Sequence, residues 1–378
     1  MRNFIHNNKG DLIMIAFFIA MCIALCFVNL RPEVQLQPGS KERAVVLEVD
    51  NSGIMQQGIL MAGGQKLKIK ILSGEYTGET FDAYNQLRSQ MELDKLFQPG
   101  DKILASVFHG AKPGVSVINA QDHYRIGWTF FLFALFGILL IVFGGITGLK
   151  ALISFVFSCL VVWNIMVPLC LKGFNPILIS MLTVTILSAA IIYIVAGINP
   201  KGHAAFSGTI LGVTASSLMA MVFTGIFHLN GAVMPYSQAL YYSGYAHLNL
   251  PQIYIGAISL AASGAVMDLA MDVAAGMHEV VTHRPDISRR SLIASGMRIG
   301  RSVVGTMTTT LLLAYSGGYL TLMMTFAAEG TKPVDFINNP YVASEVVKTI
   351  IGSFGLVLVA PFTALMGGVF LPGKQRNV

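Results

Sequence analysis

Charge is what this sequence has least of. Only 12% of its 378 residues are Asp, Glu, Lys or Arg, against 54% hydrophobic. That is about half the charge of a soluble domain and excludes an ordinary water-soluble globule. Cysteine is also scarce. The four present (Cys22, Cys26, Cys159, Cys170) all fall in apolar stretches, so they give no disulfide framework and no zinc spacing, and packing is their expected role. Catalytic fingerprints are missing too: there is no P-loop, nucleophile elbow or dinucleotide-binding glycine pattern. The one tempting motif, HEVVTH, places His278 and His283 five apart, about 140° round a helix, where a zinc protease needs two histidines on one face. No enzyme and no cofactor is expected. A divalent ion held by Asp268, Asp272, His278 and Glu279 for hydrolysis inside the membrane is the remaining enzymatic alternative.

What the chain has instead is long apolar runs. Eight membrane spans are predicted, at about 11–30, 126–148, 151–171, 174–198, 204–228, 252–276, 302–327 and 346–371, each about long enough for a bilayer core. The first follows Arg2 and Lys9 and is not followed by a small-x-small cleavage site, so it is expected to be an uncleaved anchor. The formal net charge of +6 is unevenly placed: residues 31–125 hold eleven basic and eleven acidic side chains, and the surplus sits in short loops. It therefore reports topology and not nucleic-acid binding. With the N-terminus in the cytoplasm, the inner segments carry Arg2, Lys9, Lys150, Lys201, Arg284, Arg289, Arg290, Arg298, Arg301, Lys374 and Arg376, and the short outer loops only Lys172 and Lys332. Both termini are then cytoplasmic, in a multi-pass plasma-membrane protein.

The expected fold is thus an all-α polytopic membrane bundle with a small extracytoplasmic β-barrel-like domain between helices 1 and 2. Its parts are an anchor helix (1–30), a β-domain (31–125) and a seven-helix membrane domain (126–378). Within the β-domain, KLKIKIL alternates Lys66, Lys68 and Lys70 with Leu67, Ile69 and Ile71, a half-buried strand with its lysines on one face. Pro99-Gly100-Asp101 is a turn into a further strand. About five short strands suggest an OB- or SH3-like barrel. The lysine row is either a solvated strand face or a surface for anionic lipid or polymer. Residues 230–250 carry Tyr236, Tyr241, Tyr242 and Tyr245 without a single Lys, Arg, Asp or Glu, which fits an outer interfacial helix. Residues 278–301 are basic and amphipathic, and are expected to lie along the inner surface.

Asp268 and Asp272 are the residues hardest to explain as packing. They fall within a predicted span, where a carboxylate costs several kcal/mol and is usually functional. At 100° per residue they differ by about 40° and share one face. Glu279 continues the line about 16 Å further toward the inner surface, with His278 on a neighbouring face. Ala270, Ala274, Ala275 and Gly276 lie between and suggest that the column faces the protein interior. Two adjacent carboxylates cannot both ionise cheaply, so the pair can load and release a proton. The bland alternative is an ion pair with Arg298 or Arg301. On the next span Thr306, Thr308, Thr309 and Thr310 can either extend a proton relay or simply satisfy their own backbone carbonyls.

The stretch GAVMDLAMDVAAGMHEV, with the basic loop and the Gly/Thr-rich helix after it, resembles the YibE/YibF family of bacterial multispanning membrane proteins. The long, YibE-type member is similar over nearly the whole length. That resemblance implies a partner of the short YibF-like type, or a homo-oligomer. A more distant resemblance is to SecD/SecF and RND-type transporters, where an intramembrane Asp precedes a basic loop and an Arg-Thr-rich run. Asp268, then Arg301 with Thr306–Thr310, would match those features. This implies proton flow coupled to movement of the outer domain. The chain departs from SecF in having two more spans, the extra Asp272 and a smaller outer domain. The function expected is proton- or cation-coupled transport or export. The alternative is an auxiliary or scaffolding subunit acting through the outer domain.

Overall fold

The computed structural model describes residues 9–30, 39–109 and 116–371. Arg2, Lys374 and Arg376 of the charge argument, and residues 31–38 at the head of the outer segment, lie outside the described residues. The chain forms two compact units, one of residues 33–139 and one of 1–32 with 140–378.

The first unit is a barrel. Its strands are β1 (Gly39–Asp50), β2 (Ile54–Gln57), β3 (Leu60–Ile71), β4 (Thr80–Arg88), β5 (Lys102–His109) and β6 (Ser116–His123). The sheet runs β1-β5-β6-β4-β3-β2, and β1 also pairs with β3. Five strands therefore close on themselves and β2 folds back on β3 as a hairpin. All pairings are antiparallel except β4 with β6, which is the connectivity of an OB-type Greek-key barrel. Period-2 alternation explains the core: Leu67, Ile69 and Ile71 of β3 are buried with Ala44, Val46, Ile103, Ala105 and Val107.

The lysine row faces outward, as its spacing predicts, but acids flank it. Glu48 and Asp82 stand opposite Lys68, and Asp50 stands opposite Lys66. An acid–base–acid ladder of this kind stabilises a solvated face and leaves little net positive field for an anionic surface. Inside, Gln65 is fully buried. It accepts from Phe97 N–H and Asn85 Nδ2, and donates to Phe97 O and Asn51 Oδ1.

The second unit is helical. The helices of the chain are α1 (Lys9–Phe27), α2 (Ile126–Val161), a π turn (Val162–Met166), α3 (Val167–Leu171), α4 (Pro176–Ala196), α5 (Pro200–Ile226), α6 (Ser237–Tyr242), α7 (Leu250–His283), α8 (Arg289–Gly318), α9 (Leu320–Ala328), α10 (Pro333–Asn338) and α11 (Pro340–Phe370), of which the part of α2 before residue 140 is counted with the first unit. Four long helices start the same way, with an asparagine cap and a proline in the first turn. Asn175 accepts from Ile177 N, Asn199 from Gly202 N, Asn249 from Gln252 N and Asn339 from Tyr341 N. Proline loses nothing there, because that N–H has no helical partner anyway.

Five stretches are long and apolar enough to cross a membrane, and a sixth if α8 and α9, bent by 65° at their junction, form one broken span. The predicted loop at 149–150 does not form. The break comes earlier, at Gly145, whose φ of 57° and ψ of −129° are non-helical. The segment 278–301 is divided between two helices: its first part completes α7 and its last part begins α8. Leu292, Gly296 and Gly300 are buried there, so one side of this basic segment is core.

That core is built on close helix approach. Gly300 of α8 sits against α11, where an added Cβ would stand 2.6 Å from Ala360 Cβ, and at Gly212 of α5 one would stand 2.9 Å from Val359 Cβ. Small residues at such contacts let backbones approach in lipid, where packing rather than hydrophobicity drives association. Val266, Val273 and Met277 of α7 fill the space between α5, α8 and α11. None of the four cysteines is fully buried: Cys22 is half-buried against the cluster of Phe18 and Phe157, Cys170 is half-buried, and Cys26 and Cys159 are exposed instead of packed as expected. Tyr236, Tyr241 and Tyr242, at and within the short α6, are exposed.

Candidate functional site

α7 is a 34-residue helix that begins at its Asn249 cap and ends at His283. Asp268 and Asp272 are one turn apart on one face of it, as predicted, but that face is exposed. It is a stripe of Ala257, Ala261, Gly264, Asp268, Asp272 and Glu279, all exposed. The expectation of an inward-facing column is therefore corrected. Ala270 and Ala274, read as marks of close approach beside the acids, stand roughly 160° and 120° round the helix from Asp268, and it is these that are buried. Ala270 and Ala274 mark the core face, whereas Ala257, Ala261 and Gly264 share the exposed face with the acids.

α8 runs antiparallel beside α7. Gly276 approaches Ile299, Met277 approaches Gly296 and Val273 approaches Gly300. Following that register, Asp268 is level with Gly305 and Thr306. Thr306 is about 20° from Ile299 round α8, on the side that meets α7, whereas Arg301 is about 160° away. Arg298 and Arg301 are exposed, and Arg298 donates to Ser295 Oγ at 3.1 Å. Among the described residues no ion pair joins either arginine to Asp268 or Asp272.

The threonines are locally satisfied. Thr306 donates to Val303 O (2.9 Å), Thr308 to Val304 O (2.7 Å), Thr309 to Gly305 O (3.2 Å) and Thr310 to Thr306 O (3.0 Å). This is the back-bonding usual for hydroxyls in membrane helices. Of the inner pair, Glu279 lies 3.7 Å from His283, not from His278. Asp268, Asp272, His278 and Glu279 do not assemble into a metal-binding cluster, and no group of three or more such ligands occurs among the described residues.

One charged pair escaped the sequence reading. In α11, Lys348 Nζ is 2.6 Å from Glu345 Oε2. With the last span placed at 346–371, Glu345 fell outside it and the pair was split. The Asn339-Pro340 helix start is the signal that would have kept the two together.

Against known proteins, residues 132–373 match the family described as YibE/F-like protein, and residues 40–119 match the YibE/F family N-terminal domain. No curated protein and no solved structure matches. The two matches divide the chain much as its barrel and its helices do, and the longer one contains the whole acidic stripe of α7: the chain belongs to the YibE/F family, with a family-specific N-terminal domain ahead of its helical part.

Proposed function

We propose that this chain couples movement of a substrate across a membrane to passage of a proton or small cation at Asp268 and Asp272. The observation that carries this reading is the pair itself: two carboxylates one turn apart on a span, exposed on the surface of the chain, without a cation beside them among the described residues. A fixed structural ion pair would hold its counter-charge, and intramembrane carboxylates in general mark ion or proton pathways. The SecF-like layout agrees with this reading as an analogy of arrangement only.

On the same reading the chain makes eight passes with both termini inside. A straight Ile126–Leu171 stretch of 46 residues would be about 69 Å long, more than twice the hydrocarbon thickness of about 30 Å. We take the non-helical Gly145 as the point that divides it into two passes. With α1, α4, α5, α7, the broken α8–α9 and α11, that makes eight.

The exposure of the acidic face also favours a partner, either a related short subunit or a second copy. In the auxiliary reading such a partner would do the transport and the outer barrel would be the working part. The deciding experiment is proton flux in sealed liposomes, native protein against Asp268→Asn. Loss of flux in a correctly inserted variant supports the coupling site. Equal flux in native protein and an Asp268→Asn/Asp272→Asn double variant removes it.

A further inference from the structure

In the outer barrel β4 and β6 are neighbours, yet one register pair joins them, Tyr84 with Asn119, whereas every other neighbouring pair of strands is matched over four residues or more. Along this seam the backbone has fewer ladder partners than elsewhere in the sheet, which leaves donors and acceptors to water or a ligand. Two depressions flank the seam, of about 650 and 550 Å³, and Tyr84 lines both. Each is within the size of a small-molecule site, roughly 300–1,000 Å³.

Tyr84 is set in place by its neighbour strand. It points outward from β4 and stays 40% exposed. Its ring crosses Gly64 of β3, where an added Cβ would overlap Oη, Cζ and Cε1. Glycine there lets the hydroxyl end of the ring lie down on the strand, where any side chain would lift it off. A ring held this way is a preorganised contact surface that loses little freedom on binding.

The charges around the ring cancel. Glu48, Asp50 and Asp82 stand with Lys66 and Lys68 at the first depression, and Asp94 with Arg88 and Lys95 at the second, four acids against four bases. A polyanion gains nothing from so balanced a surface, and neither does a polycation. The uncharged polar groups are the amides of Gln86, Asn119 and Gln121. Apart from Tyr84, only Leu93 among the lining residues is an exposed large hydrophobic, so the pockets that would seat alternate side chains of an extended peptide are missing among the described residues. A sugar ring fits this set. Its hydroxyls each donate and accept, so they bond to carboxylates, ammoniums and amides alike, and its C–H face packs on an aromatic ring.

We propose that this seam binds a neutral glycan, with Tyr84 stacked on one sugar ring and the depressions holding the sugars on either side of it. From Asp82 to Arg88 the outward side of β4 runs about 20 Å, longer than one sugar, so the ligand is an oligomer. The site asks nothing of Asp268 or Asp272, and either can fail while the other stands.

The test titrates the full chain in lipid nanodiscs with cellohexaose, maltohexaose and N-acetylchitohexaose, and with a heparin hexasaccharide and hexalysine as charged counterparts. Calorimetry gives affinity, and saturation-transfer NMR shows which ligand protons touch the protein. At least one neutral oligomer should bind, with transfer strongest to the C–H face of a ring. Tyr84→Phe keeps the ring and should bind within about threefold of native protein, whereas Tyr84→Ala should bind at least about tenfold more weakly. Gly64→Ala leaves every polar lining group in place but displaces the ring, and should weaken binding likewise. Hydrogen-exchange protection of the Leu67–Ile71 amides shows that the barrel of each variant is folded; if Gly64→Ala loosens it, the two Tyr84 variants decide. The proposal is overturned if none of the neutral oligomers binds, or if a folded Tyr84→Ala protein binds them like native. Tighter binding of the heparin fragment or of hexalysine than of every neutral oligomer would overturn it too, and assign a charged ligand.

Discussion

Asp268 and Asp272 occupy one exposed face of α7, while Val266, Val273 and Met277 of the same helix fill the core. Removing either charge therefore disturbs no packing. Asp268→Asn and Asp272→Asn should each change unfolding stability by no more than about 0.5 kcal/mol, as for surface substitutions in general. If the coupling reading holds, each should lower proton flux by about a hundredfold or more, the low end for loss of a proton-transfer group. Thermal unfolding and liposome flux on the same preparations check both. A strongly destabilised Asp268→Asn protein would place that carboxylate in the fold instead.

The contact of Gly300 with Ala360 makes the opposite prediction, a change with no charge and a large effect. A Cβ at Gly300 would stand 2.6 Å from Ala360 Cβ. Gly300→Ala should therefore destabilise by about 1–3 kcal/mol, the usual cost of overpacking, and Ala360→Gly in the same chain should restore most of it. Tm in detergent for the two single variants and the double variant measures the coupling. Additive losses would mean that the helices part at this point without resistance.

Much of this arrangement was legible in the residues, and the misses have physical causes. KLKIKIL declared its buried and exposed sides because a strand's period is two. The Asp268–Asp272 face followed from 100° per residue, but which way that face points was read wrongly. Ala270 and Ala274 did mark the core face. The mistake was to attach them to the acids when their own angles set them apart. Apolar windows placed the last span late because hydropathy averages over Glu345 and Lys348, whereas the cap at Asn339 fixes the helix start residue by residue. Gly145 alone among its neighbours Gly144 and Gly148 takes a positive φ, and hydropathy does not distinguish the three.

Gln65 is the keystone of the outer barrel's interior. Its side-chain amide bridges Phe97 N–H, Phe97 O and Asn85 Nδ2. Gln65→Leu keeps the volume but orphans the Phe97 N–H and O and leaves Asn85 Nδ2 with Lys95 O alone, and each buried group left unpaired costs about 1–3 kcal/mol. The full chain carrying Gln65→Leu should become sensitive to limited proteolysis between Arg88 and Phe97, with the helical unit intact. Unchanged protection of that segment would show that other contacts hold it.

Asp94 should make the same segment acid-labile. Its carboxylate accepts from Arg88 N (2.9 and 3.0 Å) and Gln90 N (2.9 Å), across a turn in which Ser89 has a φ of 60°. Desolvation pushes its pKa up, but the backbone N–H groups of Arg88, Gln90 and Ser89 and the charge of Arg88 outweigh it. They hold the carboxyl below its ordinary value of 3.8. For a carboxylate lowered on folding, the unfolded chain binds protons more readily. The stabilisation is thus fully present above the ordinary carboxylate value and is lost as pH falls through the lower folded value. Protection of the 88–94 backbone amides against hydrogen exchange, corrected for intrinsic rates, should stay level from neutral pH down to about 5 and then fall toward about 2. In Asp94→Asn the acid-dependent step should vanish and protection should be low throughout, because an amide keeps the geometry without the charge. A step that survives in Asp94→Asn would assign the acid sensitivity to another carboxylate, with Asp122 next in line. There, burial pushes the carboxyl up, but hydrogen bonds from Lys95, His123 N–H and Arg125 hold it low.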